Sequence, residues 1–141
     1  MSPSQRETWF RAALLLGAVY FLIGRLFALP GDHLRVWRLA AWIVSGCAFA
    51  AHIGYEHFRV RNTARSAAAH VAVGVALGAV ALAIAAMVHS LSSGSGLRPV
   101  WLLALVAWPA FTAVPAFLVA YALEAALRRV PPPDLPSPSG R

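Results

Sequence analysis

The chain has 141 residues, of which 60% are hydrophobic and only 12% are charged. Soluble domains typically carry about 25% charged residues, so this composition excludes an ordinary soluble domain and predicts an integral membrane protein. All basic residues are arginine, and the net charge is +7. Because no basic run is interleaved with aromatic residues, we expect the arginines to lie at membrane boundaries facing anionic lipid, and we expect no nucleic acid as a partner.

Four apolar stretches predict four transmembrane helices. Each is long enough for the ~20 residues that a helix needs to cross ~30 Å of hydrocarbon. The predicted helices cover residues 9–29, 36–58, 67–89 and 100–127. They form one transmembrane domain, residues 9–129, preceded by a short N-terminal segment, residues 1–8. The proline-rich residues 130–141 predict a disordered C-terminal tail.

The connections between these helices are short and polar. Pro30-Gly31-Asp32 is typical of a turn, and Asp32 is placed to cap the second helix. A basic turn around Asn62 joins the second and third helices, and a loop rich in serine and glycine joins the third and fourth. Short connections make consecutive helices antiparallel neighbours. The sequence therefore predicts an all-α integral membrane protein, an antiparallel up-down four-helix bundle, with kinks at Pro109 and Pro115.

The distribution of arginine predicts the orientation in the membrane. In the predicted topology eight arginines lie on one side, namely Arg6, Arg11, Arg59, Arg61, Arg65, Arg128, Arg129 and Arg141. Four lie on the other side, namely Arg25, Arg35, Arg38 and Arg98. Because basic residues are enriched in cytoplasmic loops, we expect both termini in the cytoplasm and the bundle in the cell inner membrane.

Small residues predict helix-packing faces. The third helix carries Gly74 and Gly78 in a GxxxG pattern, and the second carries Gly46, Ala50 and Gly54 at four-residue spacing. Such residues let membrane helices approach closely, either within one bundle or between the subunits of a homo-oligomer or larger membrane complex.

Ionisable residues inside the apolar stretches predict the candidate site. His52, Glu56, His70 and Glu124 all map to the more basic side of the bundle. His52 and Glu56 share a helix face, and His52 and His70 lie at similar depth in the predicted hairpin. Charge inside a bilayer is costly, so such residues need a structural or functional reason.

Four hypotheses fit this set. The structural one is that these side chains bond to one another and fix helix register. A divalent metal would take His52, Glu56 and His70 as ligands, with Glu124 or water completing the shell. A tetrapyrrole such as haem b would be bound by His52 and His70. Intramembrane acids and histidines are also the usual groups of a proton path in a transporter.

The chain lacks the common enzyme motifs. It has no G-x-S-x-G elbow, no P-loop and no H-E-x-x-H, so the sequence favours a non-enzymatic protein. The predicted function is a subunit or accessory partner of a membrane complex that works by packing. The alternatives are a haem- or metal-binding bundle that uses His52 and His70, and an oligomeric small transporter or proton-conducting protein.

Overall fold

Four long helices dominate the computed structural model, which describes residues 3–27, 34–94, 96 and 99–129. Within these ranges no residue lies in a strand. A five-residue π-helical turn, Glu56–Val60, continues the second helix. The helices are α1 Pro3–Leu26, α2 Leu34–Tyr55, α3 Ala64–Ser92 and α4 Pro99–Leu127.

The predicted helices are confirmed, with shifted ends. The first begins at Pro3 and not at residue 9, and the third covers Ala64–Ser92 and not residues 67–89. The second was expected to stay α-helical to Phe58, whereas its α-helical part ends at Tyr55. The fourth is continuous through its two prolines. The proposed cap Asp32 and the tail, residues 130–141, lie outside the described residues.

Glycines allow α1 and α3 to pack closely against each other. A Cβ added at Gly78 would lie 2.6 Å from Tyr20 Cβ, and one added at Gly17 would lie 2.8 Å from Leu77 Cβ. Real Cβ atoms do not approach that closely, so both contacts require glycine. The GxxxG pattern of α3 is therefore confirmed as a packing face, and its partner is α1. Residue numbers rise together along this contact, so the two helices run in the same direction there.

The other long contact joins α3 to α4. A small apolar core lies near one end of it, formed by Ile53, Ala68, Val71 and Ala120, with Phe49 and Phe117 packed against it. The buried alanines bring the backbones close, which leaves little room for a gap between the helices.

Helix α2 packs much less than its neighbours. Among residues 35–55, whose burial the structure describes, only His52 and Ile53 are buried. Nothing lies within 4 Å of a Cβ added at Gly46 or Gly54, so the stripe of small residues on α2 has no partner among the described residues.

The surface of the bundle is strongly apolar. Trp42 is 79% exposed, Phe111 77% and Val106 72%. All four helices are long and apolar enough to cross a membrane. A soluble monomer rarely exposes apolar area on this scale, whereas lipid or a partner helix would cover it.

Candidate functional site

The buried ionisable residues cluster at one end of the bundle, where α2 ends, α3 begins and α4 ends. His52, Glu56, His70 and Glu124 are all buried there. These are the four residues that the sequence singles out, and they form two groups rather than one.

A π-helical turn shapes this end of the bundle. The N–H of Arg61 donates to the carbonyl of Glu56 over 2.9 Å, which closes a ring one residue wider than an α-turn. Arg61 then adopts a left-handed conformation, with φ 55°, and ends the helical path. Thr63 caps α3 by accepting from the N–H of Ser66 over 3.3 Å. The chain thereby reverses within three residues, and Asn62 lies beside Glu56.

Glu56 is the centre of the first group. His70 Nδ1 lies 3.2 Å from both carboxylate oxygens of Glu56. Asn62 Nδ2 donates to Oε2 over 3.1 Å and lies 3.4 Å from His70 Nδ1. His52 Nε2 is more distant, at 4.0 Å from Oε1. Trp9 covers His70, with the two ring centroids 5.1 Å apart.

Glu124 is the centre of the second group. Its Oε2 lies 3.0 Å from His57 Nδ1 and accepts from Arg128 Nη2 over 3.3 Å. The same guanidinium donates to the backbone carbonyl of Asn62. Asn62 therefore contacts both groups, the first through its side chain and the second through its backbone.

Two polar atoms of the site are buried without a hydrogen-bond partner. They are His52 Nδ1 and Glu124 Oε1. His52 packs beside Gly74 of α3, because a Cβ at Gly74 would lie 3.5 Å from His52 Cε1. Most buried polar atoms in proteins have a hydrogen-bond partner, so these two atoms are exceptions within the site.

The structure divides the predicted site differently from the sequence. His52, Glu56 and His70 come together as expected, whereas Glu124 pairs with His57 and Arg128. Asn62 was expected only as part of a turn, although it is the chain's only asparagine. Asn62 contacts both Glu56 and Arg128, and the π-helical turn that positions it has no clear sequence signal.

The geometry does not suit a haem bound by two histidines. Such a haem needs its iron between the two imidazoles, with a ring nitrogen of each directed at it. Here the Glu56 carboxylate is the shared neighbour of His52 and His70. The described residues also contain no group of three or more His, Cys, Asp or Glu side chains arranged to hold a metal ion. The haem and metal hypotheses therefore gain no support from these residues.

Comparison with models of protein families, with curated proteins and with solved structures finds no match for this chain. The site offers buried carboxylates and imidazoles within hydrogen-bonding distance, which is chemistry suited to holding and exchanging protons.

Proposed function

We propose that the protein is a non-enzymatic, multi-pass inner-membrane subunit that packs through α2 against a second copy of itself. The observation that carries this proposal is the open face of α2. Its small residues are spaced for close helix contact, yet no described residue of the same chain covers them.

The proposed topology is an up-down bundle with both termini in the cytoplasm. It is supported by the parallel contact of α1 with α3 and by the opposite run of α2, on which His52 lies beside Gly74 and Glu56 beside His70. It is also supported by the arginines at the end that carries the site, Arg59, Arg61, Arg65, Arg128 and Arg129, because basic residues favour the cytoplasmic side.

A second copy suits the α2 face better than a charged or polar partner. Gly46, Cys47 and Ala50 are exposed there, and residues 39–55 include no Asp, Glu, Lys or Arg. A two-fold axis places the same patch on both subunits, so one flat, uncharged stripe is self-complementary. Close approach of the backbones then gains van der Waals contact that lipid chains give less well.

The chain's only cysteine allows a direct test. Cys47 is exposed on the proposed contact face. If two α2 helices pack there, mild oxidation in native membranes should form a disulfide between the two Cys47 residues. The resulting covalent dimer should return to monomer when a reducing agent is added. A disulfide needs Cα atoms within about 7 Å, so random encounters contribute little. The Cys47→Ser variant should give no covalent dimer.

A matched pair of variants separates this contact from general helix packing. Ala50→Leu adds bulk to the proposed contact and should lower dimer yield at least tenfold. Ala110→Leu adds the same bulk to an exposed position of α4 and should leave the yield unchanged. Equal crosslinking in both variants, or a monomer throughout, would contradict the proposed self-association.

A further inference from the structure

The two buried carboxylates differ in the charge that faces them. Glu124 has the guanidinium of Arg128 at 3.3 Å. Among the described ion pairs, Glu56 has only the imidazoles of His70 and His52. An imidazole is a cation only when it carries a second proton, so the neutralisation of Glu56 depends on a proton and that of Glu124 does not.

Because the pair is buried, the energetic cost of leaving Glu56 charged and unneutralised is high. The side chain of Glu56 is 3% exposed and that of His70 is 11% exposed. A buried carboxylate without a compensating charge is strongly disfavoured, and proteins commonly resolve this by protonation. With one added proton the Glu56–His70 pair is neutral, wherever the proton resides between the two groups.

We propose that Glu56 and His70 form a proton-binding site that holds one exchangeable proton. In one form the proton is on Glu56 and its O–H donates to His70 Nδ1. In the other form that O–H bond is broken, the proton is bonded to Nδ1, and the imidazolium N–H donates to the carboxylate. This site goes beyond the proposed packing function, because self-association through α2 does not require it.

The surroundings support both forms of the pair. Asn62 Nδ2 donates to Glu56 Oε2 over 3.1 Å, and that oxygen has a lone pair for this bond in either form. The ring centroid of Trp9 lies 5.1 Å from that of His70, within the ~6 Å at which an aromatic ring can favour a nearby cation. His70 is the more exposed member of the pair, so protons from water enter and leave through its side.

The other titratable groups near the pair have defined roles. From α2, His52 offers a second acceptor 4.0 Å from Glu56, with its Nδ1 unpartnered. From the π-helical turn, His57 faces Glu124 instead. From α4, Glu124 is already paired with Arg128. The proton is therefore assigned to the Glu56–His70 pair, and His52 is a second, more distant group that could accept it.

Proton counting tests this assignment. Purified protein in detergent is shifted from neutral to strongly alkaline pH, and the released protons are counted per chain with an indicator dye. Wild type should release one proton more than Glu56→Gln, whose amide has no proton to give in this range. Glu124→Gln is the matched control and should release as many as wild type. Equal release by wild type and Glu56→Gln would overturn the proposal, as would a loss seen in Glu124→Gln instead.

A second measurement needs no variant. Infrared spectra of wild type at neutral pH, with carbon-13 in glutamate and nitrogen-15 in histidine, report the state of each group. The proposal expects a protonated carboxylic acid or an imidazolium that disappears on alkaline titration. Spectra with only ionised glutamate and neutral imidazole at neutral pH would overturn it.

Discussion

Two buried glutamates lie at the same end of this bundle, and they are neutralised in different ways. Glu124 is on α4, one helical turn before Arg128, whose side chain is 39% exposed. That guanidinium bonds to Glu124 while its other side still meets water, so its own desolvation is small. Glu56 is the first residue of the π-helical turn, and the arginines that follow it, Arg59 and Arg61, are exposed. The same burial therefore gives a fixed ion pair in one case and a proton-dependent pair in the other.

The comparison shows what a helix terminus can do in an apolar bundle. A basic residue four positions along on the same helix face places a guanidinium beside a buried carboxylate. Four positions after Glu56 the chain has Val60 instead, and the described partners of Glu56 are histidine and asparagine. Four variants test this difference, from the largest expected effect to the smallest.

Removal of the fixed cation should have the largest effect. Arg128→Ala leaves Glu124, which is 0% exposed, with His57 as its one remaining partner among the described residues. We expect a loss of about 3 kcal/mol in the free energy of unfolding at neutral pH, because an uncompensated charge stays buried. Protonation of Glu124 relieves that cost, so the deficit should shrink as the pH falls. Denaturing-detergent titration at two pH values measures both.

The neighbouring arginine gives the control for that variant. Arg129→Ala removes an equal charge from an exposed position. It should change the free energy of unfolding by no more than about 0.5 kcal/mol. A similar loss in both variants would mean that Arg128 acts through overall charge and not through Glu124.

Separation of α1 from α3 should lower stability and weaken the contact that Trp9 makes with His70. Gly78→Ala places a Cβ 2.6 Å from Tyr20 Cβ and forces the helices apart. We expect a loss of about 2 kcal/mol, typical of overpacking, and a looser contact of Trp9 with His70. Ala110→Leu, which adds bulk at an exposed position of α4, is the matched control and should change the free energy of unfolding by no more than about 0.5 kcal/mol. Thermal unfolding in micelles compares the two, and equal losses would contradict the role of the glycine contact.

Asn62 should matter about as much as one buried hydrogen bond. Asn62→Ala removes the donor to Glu56 Oε2 but leaves the backbone carbonyl that receives Arg128. We expect a loss of about 1 kcal/mol in the free energy of unfolding. The variant should retain the ion pair of Glu124, which a double-mutant cycle with Arg128→Ala can measure. Strong coupling between the two positions would show that the groups do not act separately.

Replacement of Glu56 by its isosteric amide should have the smallest effect. If the Glu56–His70 pair is already neutral, Glu56→Gln replaces one neutral pair by another and should cost less than about 1 kcal/mol. Glu124→Gln breaks an ion pair and should cost more. The same detergent titration at neutral pH measures both losses, and we expect the loss for Glu56→Gln to be the smaller one. A larger loss for Glu56→Gln would mean that Glu56 is held ionised.

The sequence predicts the framework of this molecule because its signals are local. Apolar length predicts the four helices, and the spacing of Gly74 and Gly78 predicts the packing face of α3. The membrane cost of charge likewise marks Glu56 and Glu124 as residues with partners. Each of these inferences needs only one helix at a time.

The partners themselves depend on how helices rotate and where they widen. The π-helical turn moves Asn62 beside Glu56, and nothing in the order of residues 56–60 specifies a ring one residue wider. The separation of Glu124 from His52 likewise follows from the packing of α4 on α3. The open face of α2 could not be predicted either, because its small residues fit an internal contact equally well.

The proton on the Glu56–His70 pair is the central claim, and the small number of glutamates makes it directly observable. The chain contains only Glu7, Glu56 and Glu124. Carbon-13 labelling of the glutamate carboxyl groups should therefore give three resolvable signals in wild type. From neutral to alkaline pH, we predict that the Glu56 signal shifts as the pair loses its proton while the Glu124 signal stays constant. A Glu56 signal that stays at the ionised position throughout, together with a neutral His70 imidazole at neutral pH in a nitrogen-15-labelled sample, would contradict the account.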